Sequence, residues 1–156
     1  MKTHNIQSIV DFKTNIGSKS RLIGIDPGGQ NIGIAICDEN HVIATPLKTL
    51  YKNKFVNLAH EINEIISENN VKGLIIGNPL NMDGTTGKSA QSALDFAKTL
   101  SKYITIPVTM WDERLSSEAS FKITKELGVN TSKTVKNLDK NAAAFILQGA
   151  IDFLSN

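Results

Sequence analysis

Cysteine is nearly absent: Cys37 stands alone in the chain. It has no partner for an internal disulfide, which fits a reducing, cytoplasmic setting. No apolar run approaches the roughly 18 residues that a membrane-spanning helix needs. The opening, MKTHNIQSIVDFKTNIGSKS, is polar and carries no secretory apolar core. Charge of one sign is also lacking, since 17 basic and 15 acidic residues leave a net charge of only +2. That sum by itself does not announce a nucleic-acid partner. Two nucleotide-binding signatures are missing as well. There is no G-x-G-x-x-G, and Gly87-Lys88-Ser89 is not a Walker A loop because Met82 stands where its first glycine belongs.

What is present fits a single α/β domain of 156 residues, 40% apolar and 21% charged. Residues 1–20 show little periodicity and read as a loose tail with a helical turn around Ile9–Phe12; the folded domain is expected over 21–156. Leu22-Ile23-Gly24-Ile25 is a short apolar run, hence a buried strand, closed by the turn Asp26-Pro27-Gly28-Gly29. Residues 31–38 and 41–49 give two more strands. Their connections are too short for crossovers, so the three form an antiparallel meander. From Phe55 the period changes. Phe55, Leu58, Ala59, Ile62, Ile65 and Ile66 share a helical face. VKGLIIG over 71–77 is a buried strand, Ala90 to Leu100 a second helix, and residues 106–111 another strand. A third helix is expected from Ser116 to Leu127-Gly128. A last, largely apolar helix runs over 138–154. Three antiparallel strands followed by strands alternating with helices give a mixed five-stranded sheet flanked by helices.

In such sheets ligands sit beyond the carboxyl ends of the strands. Acids occupy those places: Asp26 after the first strand, Asp112 and Glu113 after the last, and Asp139 at the start of the final helix. Each taken alone reads as a cap or a solvated turn residue. Brought together they would repel one another unless protons or cations neutralised them. Hard oxygen donors in that number suit Mg²⁺ or Mn²⁺, and such ions serve phosphodiester cleavage. The loop before the second helix is either a plain strand-to-helix connection capped by Thr86 or a place for a substrate phosphate. Lys122, Lys125, Lys133, Lys136 and Lys140 face only Glu126 and Asp139, a local charge of +3 from five positive against two negative residues. A basic arm beside an acidic site is what a nucleic-acid backbone requires, although charge runs are commonly just solvated. Arg114 can pair with Glu113 or with a scissile phosphate. Trp111 and Cys37 read as packing residues. His4, His41 and His60 have no ligand spacing.

Four ordered segments then resemble one family. They are Gly24-Ile25-Asp26-Pro27-Gly28 with Ile32-Gly33-Ile34-Ala35; Gly77-Asn78-Pro79-Leu80-Asn81-Met82-Asp83-Gly84; Trp111-Asp112-Glu113-Arg114-Leu115-Ser116; and the run from Asp139-Lys140-Asn141 to Gln148. Together they resemble the YqgF/RuvX family of pre-16S rRNA nucleases, akin to Holliday junction resolvases. The resemblance runs from about Arg21 to Leu154. It implies a ribonuclease H-like fold and a metal-dependent hydrolase that trims the 5′ end of pre-16S rRNA during ribosome maturation. The alternative substrate is the four-way DNA junction. It implies Asp26, Glu113 and Asp139 as catalytic and Mg²⁺- or Mn²⁺-holding residues. Arg114, Lys133, Lys136, Lys140 and Asn81 are assigned to substrate binding. Partners would be structured pre-rRNA, branched DNA and ribosomal precursor particles, with no membrane. Gln30 departs from the family pattern, in which a charged residue such as lysine is frequent.

Two other classes remain open at this stage. An acid-glycine turn on the first strand also opens sugar kinases and actin-like ATPases, which enclose their nucleotide between two lobes; this chain has length for one. A binding module without catalysis would use the acids structurally and would take up no specific Mn²⁺.

Overall fold

The computed structural model describes residues 6–115 and 135–155, with side chains in the last helix from residue 141 onward. The elements, in chain order, are β1 (Ile6–Gln7), α1 (Ile9–Ile16), β2 (Arg21–Asp26), β3 (Asn31–Cys37), β4 (Ala44–Tyr51), α2 (Phe55–Asn69), β5 (Val71–Asn78), α3 (Lys88–Ser101), β6 (Val108–Asp112) and α4 (Val135–Leu154), with a 3₁₀ turn at Glu113–Leu115 before α4. The sheet order is β1-β6-β5-β2-β3-β4. Strands β2, β3 and β4 pair antiparallel as expected, while β5 runs parallel to both β2 and β6. The expected helix from Ser116 to Gly128 lies outside the described residues, as do Lys122, Lys125 and Lys133.

Alternation along the strands divides the core in two. Ile23, Ile25, Ile32, Ile34, Leu74, Ile76 and Val108 pack under α2 and α3. Leu22, Ala35, Cys37, Ile75 and Trp111 pack under α1 and α4. The central strands are therefore buried on both faces, which explains their nearly continuous apolar runs.

The sheet has six strands rather than five, and the sixth comes from the segment expected to be loose. Ile6 and Gln7 pair parallel with Val108 and Thr109 at the edge of β6. Helix α1 is capped by the Ser8 hydroxyl, which accepts from the Asp11 N–H at 3.2 Å. Phe12 is fully buried and Ile16 nearly so. Both fill the space left by Gly73, where a Cβ would come within 2.6 Å of Phe12 Cζ and 2.9 Å of Ile16 Cγ2. Burying the phenyl ring stabilises the fold by about 1.5–3 kcal/mol. The order of residues 6–16 thus depends on a vacancy some sixty positions along the chain, which local periodicity does not reveal.

Helix α4 begins at Val135, a turn earlier than its apolar pattern suggests, and crosses the sheet over β2, β3 and β5. Its fully buried Gln148 fixes the register: Oε1 accepts the Ala44 N–H at 2.8 Å, and Nε2 donates to Val42 O at 3.0 Å. Among the described residues no helix is long and apolar enough to cross a membrane.

Candidate active site

The parallel strands β2, β5 and β6 end at one edge of the sheet. Ile25 pairs with Ile76, Gly77 with Trp111, and Asn78 with Asp112. The chain residues at that edge are therefore Asp26, Asn78, Asp112 and, one step further, Glu113. Asp26 follows Gly24 at a spacing of two, so it stands on the α4 face of β2. Glu113 follows Trp111 at the same spacing and also turns to that face. Its Oε2 lies 2.9 Å from where a Cβ on Gly77 would be, and Ile146 of α4 lies 2.6 Å from the same point. Gly77 thus leaves room for a carboxylate and a helix to meet over the end of β5. Gly24 does the same for α4, since its Cβ would fall 2.6 Å from Leu147 Cβ and 3.0 Å from Ala143 O.

Two of the three expected acids are therefore brought to one place. Burial pushes the Glu113 carboxyl up to about 7, and the neighbouring charges of Asp26 and then Asp112 push in the same direction. The two face a common cleft of about 470 Å³ with Gly28, Gly29, Lys52 and Lys88 around its rim. Asp26 also accepts the Gly28 N–H at 3.3 Å, which tightens the turn after β2. Position 139 lies in α4, and its side chain lies outside the described residues, as do those of Lys136 and Lys140. Among the described residues no group of three His, Cys, Asp or Glu is placed to hold a metal ion.

Asp112 goes the other way. Its carboxylate takes two Arg114 donors, Nε at 3.0 Å on Oδ1 and Nη2 at 2.6 Å on Oδ2, and the Arg114 N–H at 3.0 Å as well. The Arg114 guanidinium holds Asp112 below the usual carboxylate range. The expected pairing of Arg114 with Glu113 is therefore not the one formed. Glu113 and Asp112 point to opposite faces, and the fork reaches the nearer, more exposed acid. Arg114 Nη1 also donates to Met82 O at 3.2 Å. This ties β6 to the loop that carries Asn81.

That loop is built on itself. The Asn81 N–H donates to Thr85 O at 3.0 Å, and Gly84 donates back to Asn81 O at 2.8 Å. Asp83 Oδ1 accepts both the Thr85 hydroxyl at 2.6 Å and its N–H at 3.0 Å. Asn81 Nδ2 donates to Thr85 Oγ1 at 3.0 Å. Gly84 sits at φ 88, a left-handed conformation that suits glycine. Asn81 and Arg114 thus shape the loop. Helix α3 starts without a side-chain cap, with Gly87 rather than Thr86 in the capping position.

Other expectations resolve simply. Trp111 and Cys37 are core residues, and burial pushes the Cys37 thiol up to about 12. His41 Nε2 bonds Ser20 O at 2.7 Å, and His60 lies 3.5 Å from Glu64. His4 lies outside the described residues. Sequence reasoning missed two buried amides with an unpartnered atom: Asn31 Oδ1, at the start of β3 beyond Asp26, and Asn141 Nδ2 in the first part of α4. Buried polar atoms normally find a partner, so these mark the same edge of the sheet as polar and incomplete. It also missed Lys52 on the cleft, and it noted Lys88 only within Gly87-Lys88-Ser89.

Comparison with known proteins agrees with this architecture. The model of the RuvX family, described as Holliday junction resolvase, matches residues 20–153. A protein of Pelagibacter ubique (strain HTCC1062), provisionally named pre-16S rRNA nuclease, is 54% identical over 149 residues, covering 96% of this chain and 99% of that one. A protein of the same name from Zymomonas mobilis is 40% identical over 141 residues, covering 90% of this chain and 86% of its own length. Among solved structures, T. thermophilus RuvC in complex with a Holliday junction substrate superposes with a TM-score of 0.57 at 14% identity, over 83% of this chain and 91% of that chain. The yeast mitochondrial Holliday junction resolvase Ydc2 gives a TM-score of 0.55 at 13% identity, over 94% and 84%. The folds are thus shared with resolvases, and by sequence the chain belongs to the RuvX family.

Proposed function

We propose that this chain is a divalent-metal-dependent nuclease that processes the 5′ end of pre-16S rRNA during ribosome maturation in the cytoplasm, with ribosomal precursor particles among its partners. The observation that carries this reading is the meeting of Asp26 and Glu113 on one face of the sheet, beyond the ends of β2 and β6 on either side of β5, with Glu113 raised to about 7. The names borne by relatives 54% and 40% identical support the substrate.

The residues present fit Mg²⁺ or Mn²⁺. The donors are hard oxygens, Asp26 and Asp112 crowd the Glu113 carboxylate, and among the described residues Asn31 Oδ1 is an acceptor without a partner. Asp26, Glu113 and Asp139 would hold the ion. Position 139 falls one helical turn before Ala143, whose carbonyl borders Gly24 of β2. A bound cation would supply an activated water and stabilise the charge on the departing oxygen. Glu113 serves only as the carboxylate, so a proton on it competes with the cation. Asp26 is oriented by the Gly28 N–H. The Asp112–Arg114 pair keeps the Asn81 loop at the edge of the cleft. Lys133, Lys136 and Lys140 remain assigned to the substrate backbone.

The family description and the shared fold favour a second substrate, the four-way DNA junction. One experiment separates the two: a side-by-side cleavage assay on a 5′-extended 16S precursor RNA and on a four-way junction, with wild type and Asp26→Asn. Cleavage of the RNA by wild type alone is expected. Equal cleavage by the variant would refute the assignment, and cleavage of the junction without the RNA would establish the alternative.

A further inference from the structure

We propose that Lys52 and Lys88 form a phosphate-binding wall opposite Asp26 and Glu113, which holds the backbone of a single nucleic-acid strand next to the bond to be cut. The proposal rests on the nuclease reading and names how that site grips its substrate. The two lysines come from different elements, the residue after β4 and the first residue of α3, yet both line the cleft that holds the acids. Lys52 is held in place twice. Its N–H donates to Gln30 O at 2.8 Å, beside the turn that carries Gly28 and Gly29. Its ammonium lies 5.4 Å from the centroid of the Phe96 ring, which is itself packed 5.4 Å from Phe55. Lys88, Ser92 and Phe96 follow one another at helical spacing, so one stripe of α3 carries a cation, a hydroxyl and the ring under the second cation.

The lining explains what is gripped. Among the described residues it contains no aromatic ring on which a base could stack and no amide or guanidinium fork to read a base edge. Lysine ammoniums and serine hydroxyls suit phosphate oxygens. Two cations and two acids lining one cleft divide it: the acids take the reacting phosphate, and the lysines take a neighbouring one. The proposed grip is therefore indifferent to base identity.

The test is binding of a short fluorescently labelled single-stranded RNA in EDTA, followed by anisotropy from about 50 to about 200 mM KCl. Each phosphate contact on a single strand contributes about 0.7 to the slope of log affinity against log salt. Lys52→Gln and Lys88→Gln should each flatten the slope by about 0.7, and the double variant by about 1.4. Lys98→Gln, on the last turn of the same helix, should leave it unchanged. A double variant with the slope of the Lys98→Gln control would overturn the proposal, as would wild type that does not bind the strand. Cleavage is scored separately with Mg²⁺ added. Proteins that show the expected slopes yet cut nothing would refute the nuclease reading and leave the binding wall standing.

Discussion

Asp112 and Glu113 are consecutive, both acidic and both at the end of β6, yet they have opposite fates. Asp112 sits on the α3 side, takes the Arg114 fork and is held below the usual carboxylate range. Glu113 turns to the α4 side, meets the space over Gly77, and is pushed up to about 7 by burial and by Asp26. A one-residue step along a strand reverses the face, and the face decides the chemistry. The first acid is satisfied and organises a loop. The second is buried beside other acids, which disfavours its charge. Groups with perturbed pKa values in clefts are where function concentrates.

The largest effect expected from breaking this contrast is on Glu113 itself. Glu113→Gln and Asp26→Asn should each lower the initial cleavage rate by more than about 100-fold, beyond the range typical of groups that merely support a metal ligand. Circular dichroism should show an unchanged fold. Next comes Gly77→Ala. The added methyl collides with Glu113 Oε2 and Ile146, so it should cost about 1–3 kcal/mol in denaturant unfolding and lower cleavage by up to about 100-fold through displacement of the carboxylate.

Asp112→Asn and Arg114→Ala should do less. Each releases the loop around Met82, and each should reduce cleavage about tenfold, through misplacement of the cleft's edge rather than loss of a reacting group. Because they break one clasp, the double variant should lose little more than either single one. Additive losses in the cleavage rate would mean that Arg114 touches substrate directly.

The smallest effect is on stability against pH. The folded Glu113 binds its proton up to about pH 7, while in the unfolded chain it titrates near its ordinary value of 4.5. Between those values the folded state carries more protons, so stability falls as pH rises through that window and is flat above it. In metal-free protein, Glu113→Gln should remove this slope and raise the thermal midpoint by a few degrees at pH 8 but not at pH 4. Asp112→Asn should lower the midpoint at pH 8, because its carboxylate is the stabilised one.

Much of the contrast was legible in the sequence, and the reason is physical. Apolar runs that end abruptly in an acid put that acid at a strand end, so Asp26 and Glu113 could be named without a structure. The meander was legible because short connections forbid crossovers. The partner of Arg114 was harder. Alternation sends Asp112 and Glu113 apart, but which of them an arginine two residues on would reach depends on the turn at 113–115. The order of residues 6–16 was hidden because Phe12 and Ile16 pack into a gap opened by Gly73, a contact with no local signature. The meeting of Lys52 with Lys88 was hidden for a similar reason. A summed charge of +2 and a search for clusters along the chain both overlook two lysines that meet only in space. Near-neutrality therefore said little about the partner.

The most direct test is calorimetric titration of Mn²⁺ into wild type, Asp112→Asn and Glu113→Gln at pH 8. Wild type and Asp112→Asn are expected to bind the ion with closely similar affinity, and Glu113→Gln to show no specific binding. Binding by Glu113→Gln at the wild-type affinity, or its loss in Asp112→Asn alone, would contradict the assignment of the two neighbouring acids to opposite roles.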